Sequence, residues 1–201
     1  MKVLIGCEFS GRVRDAFASL GHDAWSCDLE PSEAKGNHIQ EDILKHLDDG
    51  WDLAVMHPPC THLCVSGARW WPAKVADGSQ QAGIDFFLAL ANANIPKIAV
   101  ENPIGLMSKK YRKPDQIIQP WQFGDEAQKS TCLWLKGLPK LIPTNIVGTG
   151  EIVTFKSGVR QPKWYFETLK LSAVERTKAR NRTFQGIANA MATQWGGPCR
   201  P

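Results

Sequence analysis

The amino-acid sequence reads as an α/β protein built on a doubly wound, mostly parallel sheet with a small C-terminal appendage. Three observations carry that reading. Short apolar runs alternate with segments of helical period, the pattern of βαβ units. Each run ends in small or polar residues, as buried parallel strands do. The chain has 201 residues, 43% of them hydrophobic and 22% charged, enough for one compact domain with a sizeable core and too apolar for disorder.

The elements follow in order. Residues 2–6 (Lys-Val-Leu-Ile-Gly) form the first strand. After Glu8-Phe9-Ser10-Gly11, Val13, Ala16, Phe17 and Leu20 recur at helical spacing over residues 12–20, and Gly21 is a stop signal. Residues 23–27 give a second strand ending at Asp28, and His38-Ile39 a short third leading to Asp42. A fourth, 52–56, reaches His57-Pro58-Pro59-Cys60. A helix over about 80–93 precedes a fifth strand, 97–100, which ends at Glu101-Asn102-Pro103. Residues 131–135 and 151–155 read as further strands and 183–194 as the final helix.

Charge is uneven. Lys156, Arg160, Lys163, Lys170, Arg176, Lys178, Arg180 and Arg182 stand against only Glu167 and Glu175, a local +6 that leaves −2 for the rest of a chain totalling +4. A basic segment on a neutral body fits a polyanion partner, and on charge alone it equally fits a solvated helix face and a basic tail. No stretch has the eighteen or so apolar residues of a membrane span. The N-terminus meets Glu8 too soon for a secretory apolar region, so the expected location is the cytoplasm. Six scattered cysteines in a chain of this size read as free thiols, one or two of them reactive.

In doubly wound sheets, ligands sit beyond the carboxyl ends of the strands. Glu8 to Gly11, Asp28, Pro58 to Cys60, Glu101 and Asn102 all fall there, so one crevice collects them. Two prolines give Cys60 a stiff, extended approach. A thiolate at that point is a nucleophile if a nearby charge or dipole lowers its pKa. Adjacent parallel strands lie about 5 Å apart, so Glu101 can face whatever Cys60 attacks. A thiolate and a carboxylic acid so placed can add across an electron-poor heterocycle, sulfur to carbon and proton to ring nitrogen. Taken singly, each also fits a bland role: a small buried residue at a strand end, and a cap or salt-bridge partner.

Pro58-Pro59-Cys60 with Glu101-Asn102 resembles the paired signatures of the cytosine-5 DNA methyltransferases, and the remaining motifs follow in the family's order. Phe9-Ser10-Gly11 resembles the family's S-adenosylmethionine loop, Asp28 its ribose-binding acid and Asp42 its adenine-binding aspartate. Residues 182–190, Arg-Thr-Phe-Gln-Gly-Ile-Ala-Asn-Ala, resemble the closing Gly-Asn motif. The resemblance spans residues 1 to about 142 and 176–196. It implies a Rossmann-like fold, with a methyltransferase core over 1–142, a reduced basic recognition segment over 143–181 and a C-terminal helix returning to the core over 182–201. It also implies DNA as partner, duplex or single-stranded, with a second copy or helper subunit as an option. S-adenosylmethionine would be held near Phe9, Ser10, Gly11, Asp28, Asp42, Pro59 and Asn189. Cys60 would attack C6 of an extruded cytosine while Glu101 protonates N3 and C5 takes the methyl group. Small members of this style resemble those of bacteriophages, which implies the cytoplasm of a bacterial or phage-infected cell.

Three departures set the chain apart. Gln128-Lys129-Ser130-Thr131 keeps the family's Gln and lacks the arginines that follow it, leaving Gln128, Lys129 and Thr131, with Asn102, as base-recognition candidates. The segment before the closing motif is only about forty residues. Its Trp164, Tyr165 and Phe166 fit stacking on bases or packing beneath a small β appendage. The loop after Cys60 carries Arg69, Trp70 and Trp71, which fit a grip on nucleic acid or a cover over the site. Rival readings are a silent nucleic-acid-binding regulator or subunit, and an enzyme acting on a free pyrimidine nucleotide or RNA. A zinc reading of His57, Cys60, His62 and Cys64 fails because such close spacing crowds one tetrahedral ion. A zinc deaminase needs Pro-Cys-x-x-Cys and His-x-Glu, both missing.

Overall fold

The computed structural model describes residues 1–197; residues 198–201, the end of the expected C-terminal segment, lie outside the described residues. The doubly wound, mostly parallel sheet is observed. Its strands are β1 (Lys2–Gly6), β2 (Asp23–Asp28), β3 (His38–Gln40), β4 (Leu53–Met56), β5 (Lys97–Pro103), β6 (Gln116–Ile118) and β7 (Thr131–Lys136), in spatial order β3-β2-β1-β4-β5-β7-β6. The first five are parallel to one another, and β7 is antiparallel to both β5 and β6. Strand order reverses between β1 and β4, and a doubly wound sheet opens its ligand crevice at such a switch point.

Alternate side chains of each central strand enter opposite cores, which explains why these strands are apolar throughout. Val3, Ile5, Leu53, Val55 and Ala99 pack with α1 (Arg12–Ala18) and α7 (Gln185–Met191) on one face. Leu4, Ala54, Met56, Ile98 and Val100 pack with α3 (Ser79–Ala91) on the other. The short α2 (Trp71–Ala76) and α4 (Met107–Lys110) complete the helices of this part of the chain.

The ends of several elements differ from expectation. The first helix stops at Ala18. The fifth strand runs on to Pro103, so Glu101 and Asn102 lie within it, held by pairing with Leu133 and Cys132 of β7. The last helix begins at Gln185 and widens into a π-helical turn over Ala192–Gly196. The strand expected over 151–155 is β8 (Ile152–Thr154), which pairs with β9 (Arg160–Pro162) in a separate two-stranded sheet. Next come α5 (Lys163–Glu167) and α6 (Ala173–Asn181), the latter opened by a Ser172/Glu175 capping box. Among the described residues, no helix is long and apolar enough to cross a membrane.

Candidate active site

The loop leaving β1 is built from the inside. Cys7 turns into the left-handed region (φ 57°), and its N–H and that of Glu8 both donate to the Cys27 carbonyl, at 2.7 and 3.3 Å. Buried Glu8 accepts from Ser10 Oγ (2.8 Å) and from the Val13 N–H (3.1 Å), so its carboxylate caps α1. Arg14 is 1% exposed and donates to Ser26, Ser32 and the Ala34 and Lys35 carbonyls, which fixes the loop after β2. A Cβ on Gly11 (φ +76°) would lie 2.5 Å from that guanidinium, so glycine is required there.

These loops and the end of β4 enclose a cavity of about 590 Å³, within the range of small-molecule sites. Phe9, Asp28, Pro59, Cys60, Glu101, Asn102 and Lys129 all line it. The remaining sequence candidates stand off its wall. Ser10 and Gly11 support the β1 loop from behind. Asp42 is exposed and caps a 3-10 turn by accepting from the Leu44 N–H (3.0 Å). Asn189 lies on the exposed side of α7 and accepts from Gln185. The Gln128 carbonyl receives the Trp164 indole N–H (3.1 Å). Thr131 sits behind Glu101, bonding to its carboxylate and to the Lys129 carbonyl. Arg69 lies over the Trp70 ring in the outer loop, 5.0 Å from its centroid.

Asn102 is buried and donates to the Pro58 carbonyl at 2.7 Å, tying the Cys60 loop to the strand that carries Glu101. Burial pushes the Glu101 carboxyl up, but the His57 hydrogen bond, the Lys129 charge and the Thr131 hydroxyl outweigh it and hold the group below its ordinary value. His57 Nδ1 is 3.3 Å from Glu101 Oε2. At Cys60 the lowering on which a standing thiolate depends is not found. Its thiol is pushed up, first by donating to the Cys64 sulfur, then by burial and by the nearby Cys64 and Glu101 charges, against the opposing pull of Lys129. Asp28 is raised, with burial outweighing the Glu30 N–H that donates to it at 2.9 Å.

Sequence reasoning missed much of the wall. His57 appeared only in a discarded zinc set, and Cys7 and Glu30 in no set. The outer wall is α6, through Ala173, Val174, Thr177, Lys178, Arg180 and Asn181. It is strapped across the site by charge: Lys178 reaches Glu30 (3.8 Å) and lies over the Phe9 ring, and Arg182 forks onto Glu33 (2.8 and 2.9 Å). Lys129 Nζ donates to the Arg180 carbonyl at 2.9 Å. Of the two roles open to the aromatic trio, packing is observed. Trp164 meets Tyr165 and Phe184 edge-on, Phe166 meets Phe155, and the Arg180 guanidinium lies 3.7 Å over the Tyr165 ring.

No protein-family model matches the chain, and no curated protein matches it. Among solved structures it is similar to an E. coli crystal structure described as a candidate DNA modification methyltransferase encoded within a prophage. The identity is 17% and the TM-score 0.48, over 73% of this chain and 51% of that one. The chain thus spans about half the length of that neighbour.

Proposed function

We propose that this chain is a methyltransferase acting on DNA, and that it methylates C5 of cytosine through a covalent bond to Cys60. The observation that carries the reading is the shared cavity. A cysteine thiol and a carboxylate wall it together, tied by Asn102, beside an acidic side chain at the end of β2. An acid in that position of a doubly wound sheet accepts hydrogen bonds from the ribose hydroxyls of a bound nucleotide. Asp28 and the Phe9 ring therefore fit the nucleoside part of S-adenosylmethionine, which when bound supplies an electrophilic methyl group.

The chain's own residues do the rest. Cys60 gives up its thiol proton to the Glu101–His57 pair as its sulfur attacks C6 of the cytosine, and the pair, whose 3.3 Å contact lets one proton serve both groups, passes that proton to N3. Electron density displaced onto C5 then accepts the methyl group. The C5 proton passes to solvent, the Cys60 thiolate leaves C6, and the N3 proton returns to the Glu101–His57 pair, which restores the ring. Lys129, the wall cation whose charge acts on both Cys60 and Glu101, is available to the base carbonyl, where the family uses arginine. Most of the rate enhancement comes from holding these groups ready in one cavity.

The test is transfer of a labelled methyl group from S-adenosylmethionine to cytosine in duplex DNA, single-stranded DNA, RNA and free nucleotide. DNA is the expected acceptor. Cys60→Ser is expected to reduce transfer by at least about 1,000-fold, the loss typical of a missing nucleophile, while donor binding persists. Transfer that survives the substitution excludes the covalent route.

A further inference from the structure

Cys64 has no part in the chemistry above, yet the fold delivers it to the nucleophile. The chain turns once after Pro59: the Leu63 and Cys64 N–H groups both donate to the Cys60 carbonyl at 3.0 Å, and the two thiols are hydrogen-bonded to each other. The turn is braced from below. Leu106 N–H donates to Leu63 (2.8 Å) and Val65 N–H to Ile104 (3.1 Å), and a Cβ on Gly105 would lie 2.3 Å from the Leu63 oxygen. Both cysteines are free and partly exposed, and Ser66 Oγ lies 3.1 Å from the Cys64 sulfur.

We propose that Cys60 and Cys64 form a reversible disulfide that withdraws the Cys60 sulfur from the cavity. One helical turn keeps Cα atoms within the roughly 4.4–6.8 Å that a disulfide spans. Hydrogen bonds from Cys60, Ser66 and the Gly67 N–H favour the thiolate at Cys64, so this sulfur is the one that meets an oxidant first. With a peroxide, the Cys64 thiolate takes one oxygen to become a sulfenic acid and the second oxygen leaves as water. The Cys60 thiol then attacks that sulfur, forming the S–S bond and releasing a second water. A loop this tight makes the bond easily reduced, as befits a reversible lock rather than a structural staple. The disulfide does not depend on the function proposed above; only its consequence, a silenced enzyme, rests on it.

Residues 46–69 contain both cysteines and no internal Lys or Arg, so trypsin releases them on one peptide. The full chain is treated with stoichiometric hydrogen peroxide, denatured in N-ethylmaleimide and digested. The expected result is a 46–69 peptide free of label and lighter by two hydrogens, which dithiothreitol returns to the doubly labelled form and which Cys64→Ser never yields. A peptide labelled at both cysteines, or one carrying sulfinic acid at either with no internal disulfide, overturns the proposal. The readout is mass rather than methyl transfer. A chain that forms this disulfide on oxidation, but in its fully reduced form transfers no methyl group, therefore refutes the methyltransferase reading and leaves the lock standing.

Discussion

Asn102 shows how one side chain can set the spacing of a site. Its amide reaches back 44 residues to the Pro58 carbonyl, so the thiol loop and the carboxylate strand cannot drift apart without leaving a buried donor unpaired, at a cost of about 1–3 kcal/mol. Asp28 carries a pH dependence. Burial raises its pKa, so it takes up a proton at a pH where an ordinary aspartate, near about 3.9, is still ionised. Under the proposed function, protonation removes an acceptor for the ribose of S-adenosylmethionine. Affinity for S-adenosylmethionine is therefore expected to fall as pH drops, beginning above that ordinary value and approaching tenfold per unit below the raised pKa. Calorimetric titration from pH 8 down to pH 3.5 checks this, with Asp28→Asn weak and flat throughout; a flat wild-type curve rejects the assignment. Asp28 was legible because it closes an apolar run. Cys7 and Glu30 were not, since a left-handed cysteine and a loop glutamate leave no periodic trace.

The elements divide between those that hydrophobic period reveals and those that charge assembles. β1, β2, β4 and β5 could be read from alternation feeding two cores. The antiparallel direction of β7 could not, because an apolar run has the same period whichever way it points. α6 was invisible as a wall for another reason. It has no buried residues, and what docks it are pairs such as Arg182 with Glu33, 149 positions apart. α7 is seated by backbone fit. The Gly186 N–H donates to Asp125 (2.8 Å), and a Cβ there would lie 1.8 Å from the Phe123 carbonyl oxygen. Gly186→Ala is expected to cost about 2–3 kcal/mol in urea unfolding, the scale of a small-to-large clash against rigid backbone. Gly148→Ala, with nothing within 4 Å, is expected to change stability by less than about 0.5 kcal/mol. Equal effects at the two positions would contradict the seating described here.

Across the whole molecule, the basic segment is partly committed to folding. Lys163, Lys178 and Arg182 are paired with Glu151, Glu30 and Glu33. Among the described residues, Lys156, Arg160, Lys170 and Arg176 have no carboxylate partner, and under the proposed function they are the ones left for phosphates. Four such contacts predict a roughly 100-fold loss of DNA affinity between about 50 and 200 mM salt, measured by fluorescence anisotropy. A salt-independent affinity would remove the polyanion role. The central claim is that Cys60 and Glu101 converge on one pyrimidine ring. It is tested most directly by incubating the protein and S-adenosylmethionine with an oligonucleotide containing 5-fluorocytosine, whose fluorine cannot leave as a cation. A stable protein–DNA adduct mapped to Cys60, lost in Cys60→Ser, is the expected result. Methylation of ordinary cytosine with no trapped adduct, or an adduct at another cysteine, would contradict it.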